Sequence, residues 1–238
     1  LKSSMGRNSF SSKKIYSCGT KFRRDRFCFS RSLRYDPEMS LSNPQGRTVL
    51  FAASMVSMVL GSIHAISVFM EPLEIEFATS RANVSLIYAT SLVFLTLAVL
   101  FGPAIYSRLQ PATIYLWVAV LGVVGIFLAG FADEIETFWF GYSIIFGIAN
   151  GLGYGFGLQF AARANPDHPG LAMGVVTAAY AVGAVLAPYG FEVALSLGGL
   201  FSAMLTLGSV VFLVGIGASM LTAHSGARYS YAQPAPHI

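Results

Sequence analysis

Almost no charged side chain interrupts the chain between Thr48 and Thr222. Beyond residue 47, Lys and Arg occur only four times, at Arg81, Arg108, Arg163 and Arg228. Charged residues make up 11% of the chain, whereas a soluble domain carries about a quarter of its residues as charges. The pattern excludes a water-soluble domain and predicts a protein that lies in a lipid bilayer.

Six apolar runs each have about the 20 residues that an α-helix needs to cross a bilayer. We expect the spans at about 48–70, 84–106, 112–132, 138–162, 171–191 and 199–222. Strands of a membrane barrel would alternate polar and apolar residues over about ten positions, and these runs do not alternate. The predicted fold is all-α, a polytopic bundle of six transmembrane helices.

Loop charges predict the orientation, because Lys and Arg accumulate on the cytoplasmic side. One side collects the basic N-terminal segment, Arg108, Arg163 and Arg228, and the other collects most of the acidic residues after residue 47. We therefore expect a multi-pass protein of the cell membrane, plasma or inner, with both termini in the cytoplasm.

The chain is expected to have three parts: a basic, polar and disordered leader at 1–47, the transmembrane domain at 48–222 and a cytoplasmic tail at 223–238. The leader is either a basic arm or targeting segment, or an upstream region outside the mature protein, which would then start at Met39. Cys18 and Cys28 match no zinc spacing.

Glycines in the fourth and fifth spans have a spacing typical of close helix packing. Gly147, Gly151 and Gly155 recur every four residues and share one helix face. Such a face indicates either ordinary packing or a sliding surface beside a solute path. In the fifth span, Gly174 and Gly183 are expected to pack similarly, and Pro188 is expected to break or kink the helix.

Polar side chains inside spans usually face protein or water. His64 is the one clearly ionisable side chain within a span. We expect it either to bind a proton or the solute, or to form a hydrogen bond to a neighbouring helix. The other candidates for a solute path are Asn150, Tyr88, Tyr154, Tyr180 and Gln159. Both His64 and Asn150 follow a glycine by three residues, which suggests that the first and fourth spans correspond in a three-plus-three repeat.

Three segments resemble one family. VFMEPLEIEFATSRANVSLIYA, GPAIYSRLQPATIY and ANPDHPGLAMGVVTAAYAVGAVLAP are similar to loops and helices in the N-terminal half of the major facilitator superfamily, in its monocarboxylate and oxalate/formate antiporter branch. Gly102 and Arg108 match that family's cytoplasmic loop latch. Ser107 stands where the latch has an Asp, which puts the latch in doubt.

The resemblance implies half of a major facilitator fold and a secondary transporter that moves a small solute, such as an organic anion or monocarboxylate, by alternating access. It also implies a second six-helix half, whether missing, separately encoded or supplied by a second copy. Cations that bind the solute are expected in that half. The expected partners are the bilayer, the solute with or without a coupling ion, and this second half, but no nucleic acid.

Two other functions remain open from the residues. The chain is either a structural or regulatory membrane protein without transport, or an intramembrane protease that pairs Ser143 with His64. Ile144 follows Ser143 where the geometry of a nucleophile turn favours glycine. We expect no enzymatic activity, no cofactor and no metal site.

Overall fold

The structure, a computed structural model, describes residues 44–226 of the 238-residue chain. Every regular element in that range is a helix, and five helical segments are long and apolar enough to cross a membrane. They are α1 (Pro44–Glu76), α2 (Arg81–Tyr106), α3 (Pro111–Gly130), α4 (Ile135–Ala164) and α5 (Pro169–Ser225). The prediction of an all-α, multi-pass membrane protein is confirmed in these terms.

Most of the predicted leader and tail lies outside the described residues. Met39, both cysteines and Arg228 are in those parts of the chain. The first helix begins at Pro44, ahead of the predicted start at residue 48, and the last ends at Ser225, beyond the predicted end at residue 222.

The loop predicted between the first two spans is shorter than expected. Helix α1 continues to Glu76, so the segment EPLEIE is helical rather than loop. Glu and Leu are good helix formers, and Leu73 is fully buried on the inner face of this last part. Hydropathy marks where the apolar run ends, but the helix ends only where its hydrogen bonding stops.

The turn that follows is closed by local polar contacts. Ala78 has a positive φ of 45°, and the Ser80 hydroxyl accepts a hydrogen bond from the backbone N–H of Asn83 at 3.4 Å. Ser80 is therefore the N-cap of α2. Arg81 also donates to Glu74 at 2.7 Å, which ties the start of α2 to the end of α1.

Two helices change their hydrogen-bonding pattern partway along. Helix α1 is 3₁₀-helical over Gly61–Phe69 and α4 is π-helical over Phe140–Phe146, each with α-helix on both sides. The two segments are linked, because the Tyr142 hydroxyl donates to the carbonyl oxygen of Ile63 at 3.4 Å. Changes of this kind often mark functional positions in helices.

Helix α5 is broken at Gly198 and Gly199, where the backbone is not helical. Gly199 has a φ of 64° with a ψ of −156°, a conformation that is essentially restricted to glycine. The break divides α5 into a first arm (169–197) and a second arm (200–225).

Glycines allow the closest contacts between helices. The first arm of α5 packs on α1, where Gly61 lies against the Tyr180 carbonyl oxygen and Gly183 against the Met58 carbonyl oxygen. The second arm packs on α3, and Gly215 lies at this contact. Helix α4 packs on α1, α2 and α3, and it is therefore the central helix of the described bundle.

Apolar side chains of α2 and of the first arm of α5 remain exposed. Examples are Leu100 and Phe101 in α2, and Val185 and Leu197 in the first arm. Only 22% of the most apolar stretch of α2 is buried, compared with 67% for α1. In a bilayer such surfaces face lipid or another membrane helix.

Candidate functional site

Polar side chains from α1 and α2 meet near the 3₁₀ segment of α1. His64 Nδ1 lies 2.8 Å from the hydroxyl oxygen of Tyr88, at hydrogen-bond distance. The edge of the His64 ring also packs on Tyr180 of α5, with ring centroids 5.3 Å apart. Three predicted path residues from three helices are thus in contact.

Asn150 of α4 joins the same group through both ends of its amide. Its Nδ2 donates to the carbonyl oxygen of Leu60 at 2.6 Å, and its Oδ1 accepts from the Tyr180 hydroxyl at 3.1 Å. Asn150 is fully buried and Tyr180 is 9% exposed, so these bonds connect α1, α4 and α5 inside the bundle. Buried amides need such partners, because an unpaired polar group away from water is costly.

Tyr154 extends this group by one turn of α4. Its ring centroid lies 4.4 Å from that of Tyr180, and its hydroxyl oxygen lies 3.4 Å from the Thr177 hydroxyl oxygen. Thr177 was missed by the sequence analysis, although its position three residues before Tyr180 places both on one face of the helix.

These six residues form one polar patch: His64, Tyr88, Asn150, Tyr154, Thr177 and Tyr180. Asn150 and Tyr180 are its buried floor, whereas His64, Tyr88 and Tyr154 are half-buried and Thr177 is exposed. The less buried members therefore offer hydroxyl and imidazole groups to a ligand, above the buried amide of Asn150.

Charge in this patch depends on the imidazole alone. None of its members is a Lys, Arg, Asp or Glu. The patch is neutral when His64 is neutral and carries one positive charge when His64 is protonated.

Gln159 lies apart from this patch. It is nine residues beyond Asn150, which corresponds to about 13 Å along the α4 axis. Gln159 is half-buried and belongs to the last turns of α4 before Ala164.

The three regularly spaced glycines of α4 face α2. A Cβ at Gly147 would lie 2.9 Å from the carbonyl oxygen of Ser91, and one at Gly151 would overlap the carbonyl oxygen of Leu95. Gly155 meets Val99 in the same way, with a Cβ 3.3 Å from its side chain. The structure thus places all three at a close crossing of two helices.

The candidates in α5 differ from one another. Gly183 lies against α1, but a Cβ at Gly174 would have no atom within 4 Å, so Gly174 does not make the expected packing contact among residues 44–226. Pro188, where a break or kink is expected, keeps helical backbone angles, because angles outside the helical range occur in α5 only at Gly198 and Gly199. A proline ring is tolerated where the freed carbonyl finds another arrangement.

The loop after α2 shows no latch between charged groups. Gly102 packs on the ring of Tyr106, whose hydroxyl donates to the carbonyl oxygen of Leu152 at 2.9 Å. Arg108 is exposed, and its guanidinium forms no hydrogen bond or ion pair within residues 44–226. Ser107 instead donates to its own helix, at the carbonyl oxygen of Ala104.

The Ser143 hydroxyl forms a hydrogen bond between two helices. It donates to the carbonyl oxygen of Ile87 at 2.7 Å and is fully buried, while His64 pairs with Tyr88. The residues do not form the nucleophile and base pair of a protease in this structure. In residues 44–226 no group of three or more His, Cys, Asp or Glu side chains is placed to hold a metal ion.

Comparison with protein-family models finds no match for this chain, and comparison with curated proteins finds none either.

Proposed function

We propose that this chain is a six-helix half of a secondary transporter of the major facilitator type, which moves a small solute across the membrane by alternating access. The observation that carries the proposal is the polar patch. Six polar side chains from α1, α2, α4 and α5 converge within helices that are mostly apolar, and polar groups inside membrane helices often serve a solute or ion path.

The count of six spans rests on the break in α5. Its two arms contain 29 and 26 residues by their limits, 169–197 and 200–225, and about 20 residues suffice to cross a bilayer. With α1 to α4, the two arms give six crossings. An even number of crossings agrees with the charge pattern that predicts both termini in the cytoplasm.

Alternating access requires helices that can move relative to each other. The 3₁₀ segment of α1 contains His64, and the π segment of α4 ends four residues before Asn150. Irregular segments of this kind recur at functional hinges. The glycine crossing of α2 and α4 presents a smooth surface beside them. Both features support movement around a central site.

A second bundle would cover the open side of the patch. The half-buried His64, Tyr88 and Tyr154 would then face a cavity between two bundles rather than lipid. The exposed apolar faces of α2 and of the first arm of α5 supply surface for such a contact. The second bundle is a separately encoded half, a continuation of the chain or a second copy.

The chemistry of the patch favours a solute that accepts and donates hydrogen bonds. The hydroxyls of Tyr88, Tyr154 and Thr177 and the imidazole of His64 suit a small organic anion such as a monocarboxylate, whose charge would be met by cations of the second half. No catalytic chemistry or cofactor is part of this proposal.

The test is uptake by the full chain in proteoliposomes, with radiolabelled monocarboxylates compared with dicarboxylates and neutral sugars. His64→Ala should leave the amount of reconstituted protein unchanged. It should lower uptake about tenfold, which corresponds to losing about 1.4 kcal/mol of hydrogen bonding to a charged group. His168→Ala is the matched control, because His168 is exposed in the turn before α5.

Uptake that is equal in the His64→Ala variant and the native protein would remove His64 from the solute site. Because a half without its partner cannot transport, the oligomeric state in the proteoliposomes is measured in parallel by cross-linking. Absence of uptake for every solute by a chain that does form a dimer would favour a structural or regulatory membrane protein instead.

A further inference from the structure

An open groove of about 650 Å³ lies where three helical segments end on the same side of the bundle. The beginning of α1 forms one wall. The first arm of α5 contributes Val175 near its start, and the second arm contributes Leu221 near its end. Within the described part of the chain, the polar residues that line this groove all belong to α1, and none of them is a member of the polar patch.

The α1 wall changes from charged to apolar to polar along its length. Arg47, Phe51 and Ser54 recur at intervals of three or four residues and so share one helix face. At 1.5 Å per residue, Arg47 and Ser54 are about 10 Å apart along the helix axis. The groove therefore runs from a cation near the membrane surface into the apolar layer.

Both polar ends of this wall lack a partner. The Ser54 hydroxyl is buried, with the residue 8% exposed, and no group in the described residues is its hydrogen-bond partner. Arg47 is exposed and makes no side-chain hydrogen bond or ion pair within residues 44–226. Among residues 44–226 no carboxylate lines the groove, so the described part of the chain does not compensate the positive charge of Arg47 there.

We propose that this groove binds one anionic phospholipid. The planar guanidinium of Arg47 matches a phosphate group, and the first-turn N–H groups of α1 add positive potential beside it. The glycerol and the first methylenes of one acyl chain run between Phe51, Val175 and Leu221. The Ser54 hydroxyl donates to an ester carbonyl oxygen of the lipid, which gives this buried group its missing partner.

The test places a photoreactive p-benzoylphenylalanine at position 51 of the full chain, in vesicles of phosphatidylcholine and phosphatidylglycerol at nine to one. The matched control places the same side chain at position 101. Phe51 and Phe101 are 58% and 64% exposed, and both lie within about two turns of a helix end on the side expected to be cytoplasmic. Cross-linked lipids are identified by mass spectrometry.

We expect phosphatidylglycerol to be enriched about fivefold at position 51, the value that corresponds to one Arg near an anionic surface, and to match the bulk ratio at position 101. Arg47→Gln should abolish the enrichment. Arg108→Gln should not, since Arg108 is exposed on the same expected side but lines no part of the groove.

Three results would overturn the proposal. Equal enrichment at positions 51 and 101 would mean bulk lipid only. Enrichment that survives Arg47→Gln would assign it to the other basic residues of the chain. Loss of enrichment on adding inorganic phosphate at millimolar concentration, with ionic strength held constant, would show that Arg47 binds free phosphate rather than a lipid headgroup.

Discussion

Replacing Gly183 with alanine tests whether the close crossing of α1 and the first arm of α5 stabilises the bundle. A Cβ at Gly183 would overlap the carbonyl oxygen of Met58, and a backbone atom cannot rotate away as a side chain can. The two helices would have to separate. The crossing at Gly61, one turn away against the Tyr180 carbonyl, would open with them.

The expected magnitude follows from two opposing terms. Overpacking of a close contact costs about 1–3 kcal/mol, while Gly to Ala within a helix gains up to about 1 kcal/mol. Gly174→Ala in the same arm isolates the first term, because a Cβ at Gly174 meets no atom within 4 Å. The two variants share the gain in helix propensity, so their difference should be about 1–3 kcal/mol.

Thermal unfolding of the detergent-purified full chain measures this difference. One kcal/mol shifts the Tm by about 2–4 °C for a chain of this size, so Gly183→Ala should melt about 2–12 °C below Gly174→Ala. If both variants melt at the same temperature, the α1 crossing contributes nothing measurable and the packing argument is wrong.

Three further predictions concern the helix contacts. Gly151→Leu should lower membrane abundance severalfold relative to Gly170→Leu, because the new side chain would overlap the Leu95 carbonyl oxygen whereas position 170 is open; equal abundance by immunoblotting would refute this. Asn150→Leu should destabilise the bundle by about 1–3 kcal/mol through the loss of two hydrogen bonds between helices, and an unchanged Tm would contradict it. Glu74→Gln should cost less than about 1 kcal/mol, since its ion-pair partner is 69% exposed, and a fall in Tm of more than about 4 °C would show a larger role.

Membrane helices could be located from the sequence because length and apolarity alone determine whether a segment can cross a bilayer. The ends of the helices could not be located in this way. Polar residues that continue a helix have the same low hydropathy as a loop. The helical segment ending at Glu76 is the clearest case, where buried Leu73 belongs to the packed bundle although Glu71, Glu74 and Glu76 surround it in sequence.

Five of the six residues of the polar patch could be named from the sequence, but Thr177 and the grouping of the six could not. His64 and Asn150 stand out because polar side chains are rare in these spans. Their contacts with Tyr88 and Tyr180 depend on where helices cross, which no local pattern records. Gly174 shows the reverse error: it repeats a packing spacing, but a Cβ at that position would meet no atom within 4 Å in the described bundle.

The 3₁₀ segment of α1 has a consequence for how this helix can move. Its nine residues rise about 2.0 Å each, whereas α-helical residues rise about 1.5 Å. Rewinding the whole segment as α-helix would shorten α1 by about 4.5 Å. Because the twist per residue would fall from about 120° to about 100°, the end bearing Glu71 would also rotate by roughly half a turn relative to Gly61. A change of hydrogen-bond register within this segment would therefore shift the end of the helix along its axis and rotate it, without bending the backbone.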